Sequence, residues 1–96
     1  MSLFTTRVEL YGNASWADFD NLHAAMEKVK FYRTIKYQGA KESYQLPHAE
    51  YNISSELDTD DIRDLAVKAA STAWADFGVL VTKSDGPRRW HNLKPV

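Results

Sequence analysis

The chain has 96 residues, a hydrophobic fraction of 44%, a charged fraction of 26% and no cysteine. That suits one folded domain, residues 1–96, with a single two-layer core. It argues against disorder and excludes disulfide frameworks, thiolate metal sites and cysteine nucleophiles. The net charge of −1 hides an asymmetry, because residues 1–82 carry 8 Lys and Arg against 12 Asp and Glu, whereas residues 83–96 carry Lys83, Arg88, Arg89 and Lys94 against Asp85.

A second basic stretch, Lys28 to Lys41, holds five basic residues and no acid. Local asymmetry of this kind fits an anionic partner or a solvated loop and tail. The start, Met1-Ser2-Leu3-Phe4, has no basic region leading into an apolar run, so no signal peptide is expected. No stretch approaches the ~18 apolar residues of a membrane span, and the expected location is cytoplasmic.

Phe4 to Tyr11 alternates, with Phe4, Thr6, Val8 and Leu10 on one face and Arg7 and Glu9 on the other. Period two with one apolar face predicts a half-buried strand, ended by Gly12-Asn13. Ser15 followed by Asp18 predicts a helix start. The helix places Trp16, Phe19, Leu22, His23, Met26 and Val29 on one stripe. Arg33 to Tyr37 predicts a second strand, Gln38-Gly39-Ala40 a turn, and Tyr44 to Ile53 a third strand.

The third strand breaks phase. Tyr44 and Leu46 share one parity and Ala49, Tyr51 and Ile53 the other, with Pro47 between them. Proline cannot donate to a ladder, so a one-residue bulge is expected there, returning both apolar sets to one face. Asp58 then Asp61 predicts a second helix, with Ile62, Leu65, Ala66, Ala69 and Ala73 as its stripe. The acids Asp58, Asp60, Asp61 and Asp64 could suggest a divalent ion, but capping and dipole compensation account for them more simply, so no metal is expected. Phe77 to Lys83 predicts a last strand and Ser84-Asp85-Gly86-Pro87 a turn. The basic turn and tail, residues 84–96, either return as a short fifth edge strand or stay loose.

The order strand–helix–strand–strand–helix–strand suits an α+β, ferredoxin-like βαββαβ two-layer sandwich with an antiparallel sheet of order 4-1-3-2 and both helices on one face. Its two central strands, the first and third, are expected to run parallel under a right-handed crossover. The hairpin and the end of the last strand should then gather Lys36, Lys41, Arg88, Arg89 and Lys94 at one rim, interleaved with Tyr37, Tyr44 and Trp90. Cations for phosphates beside flat rings for bases are what single-stranded RNA binding needs. Ordinary edge-strand tyrosines would look the same.

The open face offers a second constellation. With a bulge at Pro47, His48 and Glu50 should face Arg7 and Glu9. A histidine or glutamate could take the proton of a ribose 2′-hydroxyl while arginine offsets phosphate charge, a metal-free and cofactor-free ribonuclease set of Arg7, His48 and Glu50. The plainer reading is a polar solvated face. His23 reads as a core-edge residue, and His91 has no evident partner. No G-x-G-x-x-G, P-loop, H-E-x-x-H or G-x-S-x-G is present.

Four stretches together carry a resemblance: Thr5-Thr6-Arg7-Val8-Glu9-Leu10, Leu22-His23-Ala24-Ala25-Met26-Glu27, Tyr44-Gln45-Leu46-Pro47-His48-Ala49-Glu50-Tyr51, and Val79-Leu80-Val81-Thr82 with Arg89-Trp90. In this order they resemble the GhoS-type family of small bacterial proteins, from about Phe4 to Leu93, most specifically at residues 46–51. The resemblance implies a ferredoxin-like fold similar to a nuclease of CRISPR spacer acquisition. It also implies an endoribonuclease antitoxin of a type V toxin–antitoxin system, acting on the toxin's messenger RNA. The alternative is a non-catalytic interaction domain, or a homodimer paired through the open sheet face or an edge strand.

Overall fold

A computed structural model of the chain describes residues 1–36, 41–84 and 86–96. In it β1 (Ser2–Leu10) follows the alternation of its sequence, with Phe4, Thr6, Val8 and Leu10 buried and Arg7 and Glu9 exposed. Ser15 caps α1 (Trp16–Lys28), and the capping box is complete: Ser15 N–H donates to Asp18 at 2.8 Å and Asp18 N–H to the Ser15 hydroxyl at 3.3 Å. Leu22 and Met26 are buried, but Trp16 is 78% exposed and stays outside the core its periodicity predicted for it. Trp16 occupies the first turn, where its ring lies tilted against Phe19 and edge-on to His48.

The end of α1 departs from the usual chemistry. Val29 caps it, Lys30 takes a left-handed φ of 75°, and Lys30 and Phe31 N–H groups donate to Glu27 and Met26 oxygens at 3.0 and 3.1 Å. This is a Schellman closure, with Phe31 buried beside Met26, at a position where glycine is the usual occupant. A lysine held there carries roughly 1 kcal/mol of backbone strain. Lys30→Gly is therefore expected to raise the melting temperature by about 4–8 °C, read by circular dichroism.

The second strand is shorter than predicted. β2 (Thr34–Ile35) pairs antiparallel with β3 (Tyr44–Gln45), Ile35 opposite Tyr44. Tyr37 and the predicted turn Gln38-Gly39-Ala40 lie outside the described residues. The third strand is divided. β3 stops before Pro47, a turn closes with Glu50 N–H on the Pro47 oxygen at 3.1 Å, and β4 (Glu50–Ser55) follows. In place of a one-residue bulge, the strand loops out through a turn with Ala49 at φ 60° and then resumes its direction as β4. The proline removes a donor from the ladder and the left-handed alanine turns the strand, so Leu46, Ala49, Tyr51 and Ile53 are all buried despite their different parity.

Asp58 caps α2 (Thr59–Ser71), accepting from Asp61 N–H at 2.8 Å, and Ile62, Ala66, Ala69 and Ala70 are buried. β5 (Phe77–Ser84) closes the main sheet. The sheet order is β4-β1-β5, with β2 and β3 forming a separate two-stranded ladder rather than extending it. β1 runs antiparallel to both neighbours, pairing Thr6 with Tyr51 on one side and with Val81 on the other. The expected parallel pair of central strands is thus absent. After α1 returns the chain, the β2–β3 hairpin reverses it once more, so β4 enters against the direction of β1. Both helices cover one face, where Leu22, Met26, Ile62 and Ala66 share a cluster with Phe4, Val8, Tyr51 and Ile53.

One atom in this core is out of place. The Thr6 hydroxyl is fully buried and makes no hydrogen bond among the described residues. An unsatisfied buried hydroxyl costs about 1–3 kcal/mol, so Thr6→Val, which keeps the shape, is expected to stabilise the protein by about 1 kcal/mol in urea unfolding.

Candidate nucleic-acid interface

The C-terminal tail does not stay loose, and it does not pair with β5. Residues 86–96 cross the face of the sheet opposite the helices, with Arg88 on the Thr5 and Asn52 side chains. Gln45 N–H donates to the Lys94 oxygen at 2.8 Å, Val96 N–H to the Ser43 oxygen at 2.9 Å, and Tyr44 bridges Pro95. The tail is thereby a single-bridge strand on the edge of β3. Asp85 of the predicted turn lies outside the described residues.

Arg88 anchors the tail. Its Nη2 donates to the Thr5 hydroxyl at 2.7 Å and to the Asn52 side-chain Oδ1 at 3.2 Å, and Thr5 donates to the same Oδ1 at 2.9 Å. Thr5 and Asn52 are register partners on β1 and β4, so two strands present one acceptor pair. Asn52 is itself held by its amide on the Thr34 oxygen at 2.8 Å. The acceptors of Arg88 are neutral, and its Nη1 is buried with no hydrogen bond among the described residues. Burial pulls the guanidinium down from its ordinary range, with Glu50 acting in the opposite direction. A partly buried cation that forms no ion pair among the described residues, with Glu50 acting on it only at longer range, spreads positive field into its surroundings.

Two cavities open on that field. One, of about 390 Å³, is lined by Lys30, Lys36 and Arg88 with Tyr32 and Thr34. The other, of about 780 Å³, is lined by Lys36, Arg88, Arg89 and Trp90. Lys36 and Arg88 belong to both, and no described acidic residue lines either. Tyr44 lies against Trp90 with ring centroids 5.6 Å apart. Of the residues expected at the basic rim, Lys36, Tyr44, Arg88, Arg89 and Trp90 therefore gather. Lys41 is exposed just before β3, and Lys94 is held by its backbone at β3. They converge because the tail folds back over the sheet, not because the hairpin and the end of β5 share a rim. Lys30 joins them from outside the expected rim; its signal in the sequence is the acid-free basic stretch Lys28 to Lys41.

The expected ribonuclease set is divided between the faces of the sheet. Arg7 and Glu50 are opposite each other in register and form an ion pair at 3.9 Å on the open face. His48 instead stands with α1, its ring 4.4 Å from Phe19, 5.4 Å from Trp16 and 5.7 Å from His23. The turn at residues 47–49 rotates His48 toward the helix layer, which a simple bulge would not have done. His23 accepts or donates through Nδ1 to the Tyr51 hydroxyl at 2.6 Å. Burial, Arg33 and His48 together pull its pKa down to about 4, against a small opposing pull from Asp20. Burial pushes the Tyr51 phenol well above its ordinary value, so at neutral pH the phenol donates to a neutral imidazole. Among the acids of this stretch, Asp58 caps α2, and Arg63 pairs with Asp64 at 3.0 Å and Asp60 at 3.6 Å.

No family model matches the chain, and neither the curated proteins nor the solved structures offer a match. No described helix is long and apolar enough to cross a membrane.

Proposed function

We propose that this domain binds single-stranded RNA along the tail-covered face and acts as an RNA-binding regulator. The observation that carries the reading is Arg88, a partly buried cation on neutral acceptors, set between two cavities that also hold Lys30, Lys36 and Arg89. Such cations can meet phosphates, and Trp90 and Tyr44 supply ring faces on which bases can stack. The fold is read here as ferredoxin-like, of order 4-1-3-2. In support, Tyr32 and Asn52 exchange backbone hydrogen bonds of 2.8 and 2.7 Å, which sets the segment before β2 beside β4.

The resemblance to the GhoS-type family adds a type V antitoxin role with endoribonuclease activity. Binding without cleavage is the activity expected of this chain, because His48 stands apart from the Arg7–Glu50 pair that would share the chemistry. Fluorescence anisotropy with labelled single-stranded RNA, run in a salt series with gel analysis of the same mixtures, tests it. Salt-sensitive binding with intact RNA is the expected result. Absence of binding at low salt overturns the reading in favour of a protein-interaction domain. Cleavage without added metal would restore the catalytic reading.

A further inference from the structure

The outer edge of β5 is a long strand left open. Phe77 to Ser84 pairs with β1 on one side, and no strand among the described residues pairs on the other. The strand contains no proline, and its one charged residue is Lys83, next to its end. Proteins usually blunt such an edge with charge, proline, a bulge or a cover. Here the core-facing Phe77, Val79 and Val81 remain only partly buried, while their β1 partners Leu10, Val8 and Thr6 are buried. The packing layer is incomplete at this edge, and Leu80 on the opposite face is 65% exposed.

The backbone fixes what could complete it. Tyr11 N–H donates to the Asp76 oxygen at 2.9 Å, so Asp76 turns its backbone toward β1. Strand alternation then turns Gly78, Leu80 and Thr82 inward as well, and leaves the N–H and C=O groups of Phe77, Val79, Val81 and Lys83 facing out.

We infer that β5 pairs antiparallel with the β5 strand of a second copy of this chain, about a two-fold axis at Leu80. In that register Val79 and Val81 face their counterparts as hydrogen-bonded pairs, and Phe77 faces the partner's Lys83. Each outward group thereby finds a partner. Val79 and the partner's Val81 lie on the core side and extend the packing layer across the axis. Leu80 meets its own mate as the closer, non-hydrogen-bonded pair on the other face. The two Lys83 ammonium groups fall at opposite ends of the ribbon, so like charges do not meet. A self-complementary strand favours a second copy over an unrelated peptide. The inference is independent of the RNA reading.

The chain has no cysteine, so single cysteines report the register directly. Leu80→Cys is expected to oxidise to a covalent dimer at least about tenfold faster than Thr82→Cys, because only the axial pair brings Cα atoms within disulfide range. Unmodified protein should show a dimer mass by light scattering. Leu80→Glu should run as a folded monomer, since the new carboxylates would meet across the axis while Arg7 stands opposite within each chain. A monomeric mass for the unmodified chain at millimolar concentration, or equal crosslinking at both cysteine positions, overturns the inference.

Discussion

Exchanging both Arg88 and Lys36 for glutamine is expected to weaken single-stranded RNA binding by roughly 10- to 100-fold near 0.1 M salt. The logarithmic salt slope should fall by about 1.4, since each phosphate contact to a single strand contributes about 0.7. These are the two cations shared by both cavities, so the pair removes the centre of the field rather than its rim. Arg88 also ties the tail to Thr5 and Asn52, and part of its loss would be structural. Lys36→Gln alone separates the effects. Lys36 is exposed, so its replacement should leave thermal stability unchanged while still lowering affinity and slope. Arg7→Gln is the control. Arg7 is an exposed cation paired with Glu50, and it should contribute little to binding or stability. An unchanged slope in the double variant would remove the basic cavities from any binding that is observed.

Acid is expected to destabilise the protein through His23. Its folded pKa of about 4 lies below the ordinary value of 6.5, so between those values the unfolded chain binds the extra proton. Stability from this group is complete above about pH 6.5, falls as the pH drops toward 4, and changes no further below that. The shift corresponds to about 3 kcal/mol before screening, and on the order of 1–2 kcal/mol for a ring that is only partly buried. Protonation would also turn Nδ1 into a donor facing the Tyr51 hydroxyl and add charge beside Arg33 and His48. Urea unfolding from pH 7 to pH 4.5 measures the loss. In His23→Asn, whose amide oxygen can still accept from Tyr51, the carboxylate contribution remains and the histidine contribution disappears. Parallel pH profiles for the two proteins would show that His23 carries no such linkage.

Lys30 links these energetic arguments to the site. Its left-handed backbone favours glycine, yet its side chain lines the inner cavity with Lys36 and Arg88. Lys30→Gly should therefore gain stability and lose RNA affinity together. A variant that gains stability with unchanged affinity would place Lys30 outside the interface.

The sequence by itself determined the element types and both helix starts. Ser15 with Asp18 and Asp58 with Asp61 are local signals, because a cap bonds within three residues of itself. It also determined which side of β1 is buried, because period two is a property of one strand. The phase break at Pro47 was legible as a position. Its outcome was not, because a bulge and a turn differ in the backbone angle at Ala49 and send His48 to opposite faces. Only the tertiary structure decided three further matters. It ran β4 antiparallel to β1, it laid the tail across the sheet, and it thereby left the edge of β5, the last strand, without the tail as a cover. Each depends on contacts between residues far apart in the chain. Arg88 reaches Thr5 and Asn52 through space, and no local pattern of residues around position 88 encodes that meeting.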